Sequence, residues 1–446
     1  MTRHSSRRHA RGRSCAVTER RAVEVVADWR GLASPTLVGR LHATPTRGKT
    51  IFSFEYDEAW RGLSAARRIP IDPALPVGRG TLFVPTGRRN FGVLLDASPD
   101  RWGRVLMQRR EALLAREGNR PARPLAELDY LLGVYDGHRL GGLRFRHAGG
   151  PFLDDNAELA SPPWTSLRDL EAASRHLERD DPETSRTYGK WLRMLVAPGR
   201  SLGGARPKAS VLDPARRLWI ARFPGTDDVD DIGAWETVVH RLAARAGITV
   251  SEARQQKLGP RHHTFLSRRF DRTEGGERIH FASAMTFLQR EDGEPGGSYL
   301  DLAEVIVRHG AHVPRDLEQL WRRIAFNVCV SNVDDHLRNH GFLLERAGWS
   351  LAPAYDMNPV ATGAGLTLDI SETDNAQDLA LVREVAASFR VKAARARRDP
   401  GGGHRRRADV ARRGQTAATV PRGPGPDGPR VPARRGLTVR PAFVNR

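Results

Sequence analysis

Between Val23 and Phe83 the chain keeps returning to one device: a short run of β-branched and aromatic residues closed by a turn-like segment. VEVVADW (23–29), TLVGRLHA (36–43) and TIFSFEY (50–56) each fit a strand, and TLFVP (81–85) continues the style. Amphipathic helices space their apolar positions at three and four residues, which these runs do not. That spacing arrives with RWGRVLMQRREALLARE (101–117), and segments 124–135 and 166–178 also read as helical. Residues 22–150 therefore read as an α+β unit.

The tract AGGPFLDDNAELASPPW (148–164) is polar and rich in Pro and Gly, as a connector is. Beyond it, ASVLD (209–213) and RLWIARFPG (217–225) read as strands around a short turn. GAWETVVHRLAARAG (233–247) reads as a helix that Gly247 stops, and HTFLSRRFDR (263–272) as a strand. RDLEQLWRRIAFNVCVSN (315–332) reads as a helix with one buried face. HGFLLER and WSLAPAYD (340–356) read as a hairpin around Ala347-Gly348. Trp219, Trp235 and Trp321 fall at apolar-period positions and are expected in the core, and Cys329 on a buried helix face.

Charge enters the argument through the two ends. The net charge of +20 invites a nucleic-acid reading. Yet residues 1–21 carry +6 and residues 399–446 carry +8, which leaves +6 for the 377 residues between them. With only five lysines against 67 arginines, the bias reads as the imprint of a GC-rich coding sequence more than as a phosphate-binding surface. Residues 1–21 read as a disordered basic extension. Residues 399–446, dominated by Arg, Pro, Gly and Ala, read as a low-complexity tail or an out-of-frame stretch. No apolar stretch approaches the ~18 residues of a membrane span, and the N-terminus has no apolar leader. Two distant cysteines, Cys15 and Cys329, exclude a disulfide framework and a Cys-rich zinc site, so a reducing cytoplasm is expected.

Chemistry concentrates in Asp334-Asp335-His336-Leu337-Arg338-Asn339. An Asp and an Asn five apart, in a loop after a helix, suit phosphoryl transfer. The carboxylate orients and deprotonates a hydroxyl, and the amide oxygen ligates magnesium. After the hairpin comes Ala354-Tyr355-Asp356-Met357-Asn358-Pro359, whose Asp356 stands at a strand end, where a kinase keeps its other magnesium-binding carboxylate. Upstream, Ser201-Leu202-Gly203-Gly204-Ala205-Arg206-Pro207-Lys208 is a glycine-containing loop before a strand. Its backbone can cradle phosphates and Lys208 can neutralise them. Arg222 lies mid-strand and Glu236 in the first turn of the next helix, the arrangement of the kinase strand cation and helix carboxylate.

Taken together, GGARPK (203–208), RRFDR (268–272), NVDDHLRN (332–339) and AYDMNP (354–359) resemble the HipA family of serine/threonine kinases, the toxin halves of bacterial toxin–antitoxin pairs. The resemblance covers residues 22–398. It implies a two-lobed, kinase-like α+β fold with a β-rich N-terminal subdomain (22–150). The remainder of the N-lobe, with the phosphate-binding loop and the adenine segment, then takes 151–310. A mostly helical C-lobe with the catalytic loop takes 311–398. It implies ATP and Mg2+ as cofactors and transfer of the γ-phosphate to a protein serine. Asp334 matches the family's catalytic Asp, and Asn339 and Asp356 its metal ligands. Gly203, Gly204, Ala205, Arg206, Pro207 and Lys208 match the phosphate-binding loop. Arg268, Arg269 and Phe270 match the adenine segment. His336, Leu337 and Arg338 match a stretch that lies against the nucleotide, which Tyr355 and Asp356 also border. Ser201 falls where the family carries an autophosphorylated serine. The implied partner is a helix-turn-helix antitoxin of HipB type, through which alone DNA would be met, and the implied target an aminoacyl-tRNA synthetase.

Three departures stand out. Arg222 occupies the place of the family's nucleotide-contacting lysine, and a planar guanidinium is not a neutral replacement there. Arg268 stands where an acidic residue can occur. The expected C-terminal helices give way to the Arg/Pro/Gly tail after residue 398. The departures motivate a second reading, a catalytically impaired ATP-binding regulatory module. Two further readings, a DNA-associated protein driven by its basic ends and a metal-dependent phosphohydrolase using Asp334, Asp335 and His336, compete more weakly.

Overall fold

The structure is a computed structural model. It describes residues 21–396 apart from 47–48, 64–69, 154–161, 180–188, 190, 193–194, 196–205, 295, 361–362 and 393–395. Ser201, Gly203, Gly204 and Ala205, and both basic ends apart from Arg21, lie outside the described residues.

Among the described residues, three antiparallel sheets organise the fold. The first has the order β4-β3-β2-β1-β5 and joins β1 (Arg21–Ala27), β2 (Thr36–Thr46), β3 (Lys49–Tyr56), β4 (Thr81–Phe83) and β5 (Leu143–Arg146). β1 runs between β2 and β5, so its Val23, Val25, Val26 and Ala27 are all buried, as a central strand requires. Val25, Leu41, Phe54, Phe91 and Phe145 lie in one core there.

The second sheet has the order β6-β7-β9-β8, from β6 (Lys208–Leu212), β7 (Leu218–Arg222), β8 (Ala253–Gln256) and β9 (Thr264–Arg268). The helix Arg101–Glu117 belongs in sequence to the N-terminal stretch, yet its Trp102 and Leu106 share a core with Leu167, Leu170, Trp219 and Ala221 of this sheet and its covering helix. The helix Ile232–Arg245 packs on β8 and β9, and Gly247 ends it at a φ of 77°, the left-handed conformation that glycine takes without strain.

The third sheet, β10-β11-β12, was not legible as a sheet. β10 (Phe281–Ser283) lies far upstream of the hairpin β11 (Gly341–Glu345) and β12 (Gly348–Leu351), with the helices Ala284–Phe287, Tyr299–His309 and Val313–Val330 between. The hairpin loop is Arg346-Ala347, one residue earlier than the sequence suggested, because Glu345 pairs with Gly348. The C-terminal lobe is therefore helical around a small sheet. The helices Tyr299–His309 and Val313–Val330 pack together in a core holding Leu302, Ile306, Trp321, Ile324, Phe342 and Phe389. Trp219 and Trp321 are fully buried, but Trp235 is only half-buried. The buried face of its helix runs through Ala234, Thr237, Val239 and Leu242, and residue 235 falls beside it. Cys329 is likewise half-buried. No helix among the described residues is long and apolar enough to cross a membrane.

Candidate active site

β6 and β7 pair with Lys208 opposite Arg222. Directly opposed residues of an antiparallel pair share a face, so two cations stand side by side, and both are buried. Such an arrangement is stable only if carboxylates meet them. The Arg222 guanidinium donates to Glu236 at 2.6 Å and to Asp356 at 2.5 Å. The Lys208 ammonium donates to Asp100 at 2.9 Å. The helix Ile232–Arg245, capped by Asp231, buries Glu236 from its second turn, one turn later than the sequence suggested, because the helix starts at Ile232. Burial pushes the Glu236 carboxyl up to about 7 despite Arg222. Burial also opposes the charge of Asp356, but Arg222 and Lys208 hold that carboxyl below its usual range.

The catalytic-loop candidates stand across the cleft. The helix Val313–Val330 ends at Ser331, whose φ of 56° turns the chain into the loop. Asp334 is exposed there. Asp335 turns the other way and is buried. One of its oxygens accepts from the Tyr299 hydroxyl at 2.6 Å, the Asn327 amide at 2.7 Å and the His340 ring at 2.9 Å. Burial works against its charge, yet His340 and these donors hold the carboxyl below its usual range. A carboxylate so occupied is a brace, which removes Asp335 from the phosphohydrolase trio. Asn332 extends the brace, donating to the Asn327 side-chain Oδ1 at 3.1 Å and accepting the Asn358 backbone N–H at 3.3 Å. The loop of Asp334 is thereby tied to the segment of Asp356, whose φ of 58° is one that Asp tolerates better than most residues.

Asn339 provides the test for a metal. Its amide NH2 donates to the Asp334 carbonyl at 3.0 Å, and its Oδ1 is buried with no partner among the described residues. An orphaned amide oxygen and the Asp356 carboxylate are hard oxygen donors of the kind magnesium takes. Among the described residues no group of three or more His, Cys, Asp or Glu is placed to hold a metal alone. Magnesium sites of phosphoryl-transfer proteins commonly take one or two protein oxygens and leave the rest to phosphates and water, so Asn339 and Asp356 fit it.

Between the second sheet and residues 354–357 lies a narrow cavity. Ile220, Phe265, Phe270, Tyr355 and Met357 give it an apolar lining, and Arg222, Glu236 and Asp356 stand at it as well. Arg268 and Arg269 also border it, but their side chains are engaged elsewhere. Arg268 pairs with Glu274. Arg269 is buried against Asp271 at 2.5 Å and the His138 carbonyl at 2.6 Å. Phe270 leans on Tyr355 with ring centroids 5.4 Å apart, and the Tyr355 hydroxyl donates to the Arg338 carbonyl at 2.8 Å.

Of the other candidates, Arg206 is held in a two-pronged pair with Asp228 at 2.7 and 2.8 Å. Pro207 sits at the entry to β6 and accepts the Phe223 N–H. Leu337 is buried in the C-lobe core. Arg338 pairs with Asp292 and lies 3.2 Å from the His336 ring. Sequence reasoning missed Asp100, Asp292 and the bracing role of Asp335. Asp100 carries one local signal, its place as cap of the helix Arg101–Glu117, where it accepts the Gly103 N–H at 2.9 Å.

Comparison with known proteins follows the same lines. The family described as the HipA-like C-terminal domain matches residues 200–410, reaching past residue 398 into the Arg-rich end. A Sinorhizobium fredii protein, Y4mE, whose name proposes a kinase, is 31% identical over 147 residues. The match takes in 31% of this chain and 33% of that protein, so the chain aligns with about a third of its relative's length. The fold is that of the Shewanella oneidensis toxin–antitoxin HipA, solved with HipB and its operator DNA. The TM-score is 0.61 at 16% identity, over 90% of this chain and 92% of that one. Residues 200–410 thus match the family described as the HipA-like C-terminal domain, and the fold of the chain is similar to that of the Shewanella HipA.

Proposed function

We propose that this chain is a HipA-type kinase that uses ATP and magnesium to phosphorylate a serine or threonine of a protein. One observation carries the reading. An exposed Asp334 and an orphaned Asn339 oxygen lie on a loop that Asn332 ties to the segment of the half-buried Asp356, beside a strand cation paired with a helix carboxylate. Asp334 would orient the attacking hydroxyl and take its proton. Asn339 and Asp356 would hold magnesium, which when bound neutralises phosphate charge. Lys208 and Arg222 would meet the phosphates, and the cavity lined by Phe265, Phe270 and Met357 would take the adenine. Catalysis would then rest on positioning and charge stabilisation.

The Shewanella protein was solved with HipB and DNA, which supports a helix-turn-helix antitoxin as partner here too, with DNA met only through it. Intact mass before and after Mg-ATP tests the reading. Wild type gains phosphate, Asp334→Asn gains none, and Ser201→Ala tells whether Ser201 receives it.

The engagement of Arg222 by two carboxylates favours one other reading, a nucleotide-binding regulatory module without transfer. It predicts ATP binding with no gain of mass in any variant.

A further inference from the structure

We propose that Asp100, supplied by the N-terminal part of the chain, is a positioning residue for the phosphate site and acts through Lys208. The inference rests on the kinase reading above. Lys208 and Arg222 are opposed cations on one face of the second sheet. Arg222 has two carboxylates; the Lys208 ammonium, itself 1% exposed, pairs with the Asp100 carboxylate at 2.9 Å. A long, flexible ammonium beside Glu236 and Asp356 has competing places to go, and Asp100 gives it one. The carboxylate is itself fixed from behind. Its other oxygen caps the helix Arg101–Glu117, and Trp102 and Leu106 of that helix are locked into the core under β6 and β7. The next residue, Arg101, lies 3.6 Å from Asp292, the partner of Arg338 in the catalytic loop. The start of one helix therefore braces both walls of the cleft, 108 residues in sequence from the lysine it holds.

Calorimetry on the full chain with ATP, ADP and adenosine tests this. Asp100→Asn is expected to weaken ATP and ADP about tenfold and leave adenosine within about twofold, because only the phosphates feel Lys208. Lys208→Met is expected to do the same. The double variant Asp100→Asn/Lys208→Met is expected to bind ATP no more weakly than Lys208→Met, since Asp100 has nothing left to act on. Asp100→Glu, which keeps the charge, is expected to recover most of the affinity. An Asp100→Asn protein with wild-type ATP affinity overturns the inference, as does equal weakening of adenosine, which would mean a general loosening. If the single variant does not fold, the double variant lacks the unpaired buried charge and still decides. Further tenfold weakening beyond Lys208→Met overturns the inference. A wild type that binds adenosine but not ATP would overturn the kinase reading as well, whereas an unaffected Asp100→Asn beside an ATP-binding wild type overturns this inference alone.

Discussion

The Arg222 guanidinium donates to the Asp356 carboxylate at 2.5 Å, across the cleft between the second sheet and the segment after β12. The same nitrogen lies 2.6 Å from Glu236, so one cation holds a buried and a half-buried carboxylate from different elements.

Removing that cation should therefore be costly. Arg222→Met takes from Glu236 and Asp356 the cation that bonds both and leaves only Lys208 nearby, and a loss of about 3 kcal/mol is expected in urea unfolding. Arg222→Met/Glu236→Gln should recover part of it by deleting one of the two charges. A loss below about 1 kcal/mol for the single variant would show that the three groups do not form a closed network.

Neighbouring aspartates should behave as opposites. Asp335 accepts three hydrogen bonds in the interior, and Asp335→Ala strands Tyr299, Asn327 and His340. A loss of about 3 kcal/mol is expected. Asp334 is exposed, and Asp334→Asn should shift stability by no more than about 0.5 kcal/mol. Thermal melts of the two variants side by side check this, and equal losses would contradict it.

Acid should find His280. The ring is buried between Trp29, stacked at 4.5 Å, and Trp349 at 5.5 Å. Burial lowers its pKa to about 3. An unfolded histidine titrates near 6.5, so below that pH the unfolded chain takes up a proton that the folded one refuses. The stability that neutral His280 permits is thus complete above pH ~6.5 and lost as pH falls toward 3. His280→Phe should flatten that part of the profile, narrowing the loss between pH 6.5 and 4.5 by roughly 2 kcal/mol. An unchanged slope would contradict a neutral, buried ring.

Much of this architecture was legible from local pattern. β1 to β4, the helix 101–117 and the helix stopped by Gly247 follow from periodicity and punctuation, since their side chains answer to near neighbours. Arg222 and Glu236 could be paired because a strand cation followed by a helix carboxylate is the arrangement kinases use. What stayed hidden depends on distant chain segments. β10 joins a hairpin far downstream of it. Asp100 read as no more than a helix cap, because its partner Lys208 is 108 residues away. Asp334 and Asp335 look alike in sequence, and only the packing of Tyr299, Asn327 and His340 tells which one turns inward. RRFDR read as an adenine segment, yet the side chain of its second arginine is spent on Asp271 and the backbone of residues 138–139.

The most direct measurement is transfer of label from γ-labelled ATP with magnesium, made beside ATP calorimetry on wild type and Asp334→Asn. The account predicts that the variant binds ATP within about threefold of wild type. It also predicts transfer slower by about 10²–10⁴-fold, as befits the loss of a general base. Equal transfer by the two proteins, or no transfer by a folded wild type that binds Mg-ATP, would contradict it.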